Sequence, residues 1–198
     1  MMLVEETTVA ASALPVEQFK AHLRLGTGFA DDSLQDAVLE SFLRAAMAAI
    51  EARTGKILLE REFSWTLSAW RDELAQALPI APVGEIIELA IVKRDETEVV
   101  IDPSVYWLER DHSRPRLVSS SCLPSIPAGG VAEVVFLAGF AQSFDALPAD
   151  LAQAVLMLAA YYYEHRDATD MGDGTVPYGV GVLIERYKTI RLIAGGRP

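Results

Sequence analysis

Histidine is the residue type with which a catalytic search begins, because its side chain titrates near neutral pH and binds metals. His22, His112 and His165 lie in three separate segments, and their spacing is not that of metal ligands. His165 stands beside Glu164 and close to Asp167, so an acid–base site built on these residues is one hypothesis. A polar helix end explains the same residues, because a histidine near a helix C-terminus is favourable without any catalytic role.

Acidic and glycine-rich residues follow this histidine. Asp167, Asp170 and Asp173 precede Gly174, but their order misses that of a calcium-binding loop and no glutamate closes it. We interpret the segment as a solvated acidic hinge. The glycines between 172 and 181 do not precede a lysine as those of a phosphate-binding loop do. We therefore expect no metal, no nucleotide and no other cofactor.

A nucleophilic site is not indicated either. The run from Ser119 to Cys122 lacks the G-x-S-x-G turn that exposes a catalytic serine. Cys122 is the single cysteine, so no internal disulfide can form, and the first residues lack the basic and apolar regions of a signal peptide. These features predict a protein of a reducing cytoplasm that is not an enzyme.

The distribution of charge narrows the class of partner. The net charge is −11, which argues against a protein that grips DNA phosphates with Lys and Arg. Residues 1–177 contain 27 acids and 13 bases, whereas Tyr178–Pro198 contain four bases and one acid. The last segment is therefore a basic tail on an acidic body, and it suits an acidic partner or a second copy of the chain.

The first third of the chain has the periodicity of helices. Pro15 can open a short helix whose apolar face holds Val16, Phe19 and Leu23. Asp32 can cap a longer helix that ends at Gly55. The apolar stripe that we predict for this second helix is Leu34, Val38, Phe42, Ala45 and Ala49.

The middle of the chain has the alternation of strands. Phe63, Trp65 and Leu67 alternate with polar residues, as in a half-buried strand. Further short strands follow between loops that contain Pro and Gly, and we predict them at 86–92, 98–101, 106–108, 117–119 and 133–140. Five or six strands of this length predict a small antiparallel sheet or sandwich.

A long helix from Pro148 to about Asp167 contains ten consecutive apolar residues, Ala154–Tyr163. This run is too short for a bilayer, which needs roughly 20 residues. A helix without a polar face must be covered on all sides, so we predict that Leu158, Tyr161 and Tyr162 pack at a subunit contact. Beyond the hinge, Val182, Leu183, Tyr187 and Ile190 lie at helical spacing, with Arg186 and Lys188 off that stripe.

The order of helices, strands and helices predicts an α+β fold. We expect a helical bundle core with an inserted small antiparallel β lobe and an extended C-terminal tail. The whole chain, 1–198, is then one domain. Its parts are helices at about 15–55, a β-rich insertion at about 57–141, a long helix at about 148–168 and a tail at 176–198.

The chain as a whole resembles the head-to-tail connector, or adaptor, family of tailed bacteriophages and phage-derived gene transfer agents. No single motif carries the resemblance; the order and spacing of many short pieces do. The pieces are Val16–Arg24, Asp31–Leu34, Glu51–Gly55, Leu78–Val83, Tyr106–Glu109, Pro115–Leu117, Val134–Phe140, Leu147–Pro148, Tyr163–Asp167 and the tail from Val176 through Arg191.

The resemblance implies a passive structural protein of the virion neck, assembled in the bacterial cytoplasm. Copies form a ring, expected to be of twelve, beneath the portal protein, and they join the DNA-filled head to the stopper or tail. DNA passes through the ring without sequence-specific binding, and no membrane, catalytic residue or cofactor is involved.

Within this resemblance, the C-terminal segment engages the portal or the neighbouring subunit. The residues that we predict for this contact are Tyr178, Leu183, Arg186, Tyr187, Lys188 and Arg191. Two rivals stay open at this point. One is a neck or tail-completion protein one layer further from the head, and the other is a small cytoplasmic enzyme that uses His165 and Glu164.

Overall fold

The computed structural model describes residues 1–25, 33–166 and 176–188. The chain divides into two compact units, one formed by Met1–Pro15 with Lys56–Leu147 and the other by Val16–Gly55 with Pro148–Pro198. We call the first the β unit and the second the helical unit.

The β unit contains two antiparallel sheets. The first has the strand order β1-β2-β8-β4-β5, and the second has the order β3-β7-β6. The strands are β1 (Met2–Glu5), β2 (Arg61–Leu67), β3 (Ala75–Ala77), β4 (Val83–Val92), β5 (Glu98–Val100), β6 (Tyr106–Glu109), β7 (Arg116–Ser119) and β8 (Val131–Ala138).

Alternation of side chains along the strands builds the core of the β unit. In β2, Phe63, Trp65 and Leu67 point to one face and are almost completely buried. Their cross-strand neighbours in β8 include Val134, opposite Trp65, and Phe136, opposite Phe63. The rings of Phe63 and Phe136 stack with centroids 6.1 Å apart. This one-sided pattern fixes the register, because a slip by one residue turns the apolar set away from the core.

In the part of the helical unit that the structure describes there are four α-helices: α1 (Val16–His22), α2 (Ser33–Thr54), α3 (Ala149–Glu164) and α4 (Tyr178–Ile184). In α2 the buried stripe is Leu39, Leu43, Ala46, Met47 and Ile50, and the predicted stripe was displaced by about one residue. The larger aliphatic residues face inward because they bury more apolar area than the alanines do.

The ends of α2 test two further predictions. Gly55 has a φ of +67° and its N–H donates to the carbonyl oxygen of Glu51 at 2.8 Å, so its role as the C-terminal glycine is confirmed. The predicted capping residue Asp32 lies outside the described residues.

The prediction of a helical bundle core with a small β lobe was wrong. The fold is mixed: the β unit is the longer of the two units, has two sheets and contains its own hydrophobic cluster. The α+β class itself is compatible with this arrangement. The described part of the predicted extended tail is helical, since α4 and a 3₁₀ turn at Glu185–Tyr187 follow Pro177.

All the strands that were predicted from the sequence are present, with bounds shifted by up to three residues. Two short strands, β1 and β3, were missed. Among the described residues, no helix is both long and apolar enough to cross a bilayer. That residues 1–198 act as one connector domain stays a prediction.

Candidate partner-binding site

The long apolar helix α3 is covered by its own unit on one side. Leu151, Ala154, Val155, Leu158 and Ala159 are all at most 1% exposed, because α1, α2 and α4 pack on this face. Leu158 is therefore a core residue of a single copy, and no neighbouring subunit is needed to cover it. This corrects its assignment to a subunit contact.

Other residues of α3 are only half-buried. They are Leu156, Met157, Ala160 and the tyrosines at 161 and 162. The rings of Tyr161 and Tyr162 lie 6.3 Å apart, and Tyr163 packs edge-on against Phe42 of α2 at 5.9 Å. The apolar run thus contains residues that are fully buried within the unit and residues that keep part of their surface exposed.

The histidine grouping at the end of α3 has a local structural role. The ring of His165 lies 4.3 Å from that of Tyr161, and its Nδ1 lies 2.9 Å from the carbonyl oxygen of Tyr161. His165 and Glu164 are both exposed. These contacts belong to a helix end, where carbonyl groups lack a partner in the helix.

The acidic hinge prediction, from Asp167 through Asp173 to Gly174, lies outside the described residues. Within residues 1–25, 33–166 and 176–188, no three His, Cys, Asp or Glu side chains are placed to hold a metal ion. The hydroxyl group of Ser119 donates to the carbonyl oxygen of Val105 at 2.9 Å, which is a structural hydrogen bond.

The helix α4 follows the hinge and has two distinct faces. Val180 and Ile184 are buried, whereas Tyr178 is 88% exposed and Val182 is 57% exposed. Leu183 is half-buried. The prediction of a helix in this segment is confirmed. The predicted inward face is wrong at Val182, which was expected to face the core.

A glycine explains how closely α4 approaches α3. A Cβ atom at Gly179 would lie 2.9 Å from the terminal methyl group of Met157. A larger residue at 179 would displace that methyl group, so glycine permits the close contact of the two helices. Val180 and Ile184, four residues apart, then share the face that packs on the unit.

Beyond α4, three polar side chains tie the chain to the start of α3. The hydroxyl group of Tyr187 donates to Asp150 at 2.8 Å, and Nε of Arg186 lies 2.9 Å from the same carboxylate. A guanidinium N–H of Arg186 also donates to the Tyr187 hydroxyl group, and the guanidinium carbon lies 4.7 Å from the tyrosine ring centroid. We call Asp150, Arg186 and Tyr187 the tail clamp.

The tail clamp shifts two pKa values. Burial raises the pKa of Tyr187, and the hydrogen bond with Tyr187 raises that of Arg186. Asp150 lies in the first turn of α3, where the helix dipole favours its negative charge. Lys188 pairs with Glu185 instead.

These contacts separate the six predicted portal-contact residues into those that position the tail and those that do not. Arg186 and Tyr187 position the tail, so part of its positive charge is used within the unit. Tyr178 and Lys188 are exposed, and Leu183 is half-buried. Arg191 lies outside the described residues. Val182 was not among the predicted contacts, although its spacing of four residues from Tyr178 places both on the outer face of α4.

Comparison with solved structures finds full-length relatives. A chain of the structure titled "Neck of empty GTA particle computed with C6 symmetry" is 50% identical, with a TM-score of 0.90. A chain of "Virion of native gene transfer agent (GTA) particle" is 50% identical, with a TM-score of 0.87. A chain of "Neck of native GTA particle computed with C12 symmetry" is 46% identical, with a TM-score of 0.85.

Each of these matches covers 100% of both chains. No protein-family model and no curated protein matches the chain.

Proposed function

This chain belongs to the neck proteins of gene transfer agent particles, and we propose that within the neck it forms the adaptor ring beneath the portal. In that position the ring joins the DNA-filled head to the stopper or tail. The protein is a structural component of the particle and not an enzyme, so the hypothesis of a catalytic site at His165 and Glu164 was wrong.

The observation that carries the proposal is the full-length match to chains of necks with sixfold and twelvefold symmetry. A neck of cyclic symmetry is built from copies arranged in a ring. A closed ring requires a heterologous contact, in which one patch of a subunit binds a different patch of the next. We propose that the ring contains twelve copies of this chain.

The outer face of α4 is the surface that we assign to the portal. Tyr178 and Val182 form an exposed apolar pair on a helix whose other face is anchored by Val180 and Ile184. An exposed aromatic residue on a fixed helix is a typical anchor for a groove on a partner protein. The segment 178–198 contains four bases and one acid, and this excess of positive charge favours an acidic partner surface.

The half-buried tyrosines near the end of α3 are assigned to the neighbouring subunit. Tyr161 and Tyr162 keep part of their surface exposed in a single copy. Aromatic residues are enriched in protein interfaces because they bury a large area with few rotatable bonds. Leu158 no longer belongs to this proposal, since its own unit covers it.

DNA contact is proposed to be weak. A chain with a net charge of −11 repels phosphates on average, so DNA can pass through a channel of such subunits without being held. A position one layer further from the head, as a neck or tail-completion protein, remains the second candidate. A protein of that lower layer would also form a ring and be acidic, so the binding partner distinguishes the two positions.

A pull-down of the purified chain with the portal protein from the same gene cluster tests the proposal. We expect a stable complex that negative-stain imaging shows as a ring seated on the portal. Failure of the folded chain to bind the portal, together with binding to a stopper or tail protein, would assign it to the lower neck layer.

Point variants test the α4 surface better than a deletion does, because removing residues 178–198 would also remove the buried Val180 and Ile184. We expect Tyr178→Ala with Val182→Ala to weaken portal binding at least about tenfold, the effect of one to two interface anchors. Val38→Ala is the matched control, since Val38 is 44% exposed on α2 of the same unit. Equal binding by both variants would remove α4 from the contact.

A further inference from the structure

The helix α4 is too short and too rich in glycine to keep its shape alone. It has seven residues, and two of them are Gly179 and Gly181. Isolated helices shorter than about 12–15 residues are marginal in water, and glycine loses more conformational freedom in a helix than any other residue. The orientation of α4, and with it that of Tyr178 and Val182, therefore depends on contacts with the rest of the helical unit.

These contacts fasten the segment to α3 at both ends. At its start, a Cβ atom at Gly179 would lie 2.9 Å from the terminal methyl group of Met157. At its end, the hydroxyl group of Tyr187 donates to Asp150 at 2.8 Å. Met157 and Asp150 are seven residues apart on α3, or about 10 Å along the helix axis. The segment from Gly179 to Tyr187 therefore runs antiparallel to α3 and is held at two separate points.

The second of these points is the more directional one. Val180 and Ile184 are buried, but burial of apolar surface favours no single direction. In the tail clamp, one carboxylate oxygen of Asp150 accepts from the Tyr187 hydroxyl group, and the other lies 2.9 Å from Nε of Arg186. Hydrogen bonds weaken steeply when they are bent, and those to a charged acceptor are the strong ones. The clamp therefore restricts the angle at which the segment lies on α3.

The clamp joins a fixed acceptor to more exposed donors. Asp150 belongs to the first turn of α3, and the next residue, Leu151, is completely buried. The side chain of Arg186 is 68% exposed, and exposed ion pairs contribute little to the free energy of unfolding. Loss of the clamp should therefore leave the helical unit folded, while α4 becomes free to change its orientation.

We propose that Asp150 is a positioning residue for portal binding. Through Tyr187 and Arg186 it holds α4 in one orientation on α3, so that Tyr178 and Val182 are presented to the portal together. Asp150 acts through α4 and does not itself touch the portal. A surface that is already ordered in the free protein loses less conformational entropy on binding, which raises affinity. This inference rests on the proposed function, because α4 is the surface assigned there to the portal.

The affinity of the purified chain for the portal protein from the same gene cluster tests the inference. We expect Asp150→Asn and Tyr187→Phe each to weaken binding about three- to tenfold, because α4 must then be ordered as it binds. Glu164→Gln is the matched control, since it removes one negative charge at the exposed end of the same helix. Circular dichroism at 222 nm verifies that each variant is folded under the binding conditions.

A double-mutant cycle separates positioning from any other effect of Asp150 on binding. Tyr178→Ala with Val182→Ala removes the surface that the clamp orients. In that background, Asp150→Asn should weaken binding no further, because no apolar pair is left to present. An additive loss would show that Asp150 affects the portal contact by another route, and the inference would be wrong.

A second-site substitution tests the same mechanism by rescue. A Cβ atom at Gly181 would meet no atom of the described chain within 4 Å, so Gly181→Ala fits and raises the helix propensity of α4. Combined with Asp150→Asn, it should restore at least half of the lost portal affinity. Gly84→Ala is the control, because its Cβ atom is equally unobstructed but lies in the β unit. Equal affinities of the two double variants would contradict the inference.

Failure of the inference can be distinguished from failure of the proposed function. Equal portal binding by Asp150→Asn and Glu164→Gln would overturn the positioning role alone. Tighter binding by Asp150→Asn would also overturn it, since the clamp would then compete with the portal for Arg186. Absence of portal binding by the folded, unmodified chain would overturn the proposed function and the positioning role together.

Discussion

The first strand, β1, and the last described α-helix, α4, attach to their units by different means. All four residues of β1 are exposed, and the strand is held by its backbone ladder to β2 and by an ion pair of 2.9 Å between Glu5 and Arg61. By contrast, α4 buries Val180 and Ile184 and is followed by the tail clamp. Chain termini can thus be additions to a finished core or parts of the core itself.

Because of this difference, β1 and α4 have different roles in their units. Because β1 adds little to its core, we expect substitutions in it to cost the β unit little stability. Because α4 completes its core, only its outer face, with Tyr178 and Val182, is available to a partner. Substitutions on the inner face of α4 should therefore unfold the helical unit before they alter binding.

The two units can be followed separately in one sample. All three tryptophans, Trp65, Trp70 and Trp107, lie in the β unit, so their fluorescence reports the unfolding of that unit. Helical circular dichroism at 222 nm reports mainly the helical unit. The following predictions use this pair of signals, since two units need not unfold in one step.

The largest expected effect is that of Leu158→Asp. Leu158 is 1% exposed in the centre of α3, and an unpaired buried carboxylate there should cost about 4 kcal/mol or more. We expect the helical signal to be lost at a much lower urea concentration. Gln153→Asp, at an exposed site on the same helix, should leave the midpoint almost unchanged. A normal midpoint for Leu158→Asp would show that this face is not a core.

A direct comparison of the two ends comes next. Ile184→Ala removes a side chain that is 1% exposed and should destabilise the helical unit by about 2–5 kcal/mol. Leu3→Ala, at a site that is 38% exposed, should destabilise the β unit by less than about 1 kcal/mol. Urea titration with both signals measures the pair. Equal losses would remove the distinction between a core element and an added edge.

The tail clamp should give a smaller effect. Asp150→Asn weakens the hydrogen bonds from Tyr187 and Arg186 and removes a favourable charge at the start of α3, at a cost of about 1–2 kcal/mol. Glu164→Gln is the control, because Glu164 is exposed at the other end of the same helix. Urea midpoints at 222 nm measure both variants, and an unaltered midpoint for Asp150→Asn would show that the clamp does not hold the tail.

Local patterns predicted the elements better than they predicted their assembly. The strand that contains Phe63, Trp65 and Leu67 was found because these residues alternate with polar ones, as in a strand with one buried face. The strand that contains Val134 and Phe136 was found as a short apolar segment between loops with Pro and Gly. The strand β1 was missed because four exposed residues show no such contrast. The size of the β unit was also missed, since pairing partners distant in sequence leave no local signal.

The candidate site was predicted in position but not in detail. The segment that begins at Tyr178 stood out through its basic charge, yet the roles of its residues depend on the turn of a short helix against α3. Glycines at 179 and 181 weaken the apolar period, so Val182 was assigned inward although it is exposed. The contact of Asp150 with Tyr187, 37 positions away, could not be inferred from spacing.

The smallest predicted effect is a dependence on alkaline pH that belongs to the helical unit. Burial raises the pKa of Tyr187 above the value of 10.0 of a free tyrosine, and the hydrogen bond to Asp150 acts in the same direction. The folded unit then holds this proton more tightly than the unfolded chain does. Its stabilising contribution is complete below pH 10 and is lost as the pH rises through the folded pKa.

Urea midpoints at 222 nm between pH 8 and pH 11 measure this dependence. Lysines titrate in the same range, so the useful quantity is the difference between variants. Tyr187→Phe should show a shallower loss of stability above pH 10 than the unmodified chain, because the group that is deprotonated on unfolding is absent. Tyr178→Phe, at the exposed tyrosine of α4, should follow the unmodified chain. Parallel pH profiles for all three proteins would mean that Tyr187 is as open to solvent as Tyr178, and the segment after α4 would then be as loosely attached to its unit as β1 is.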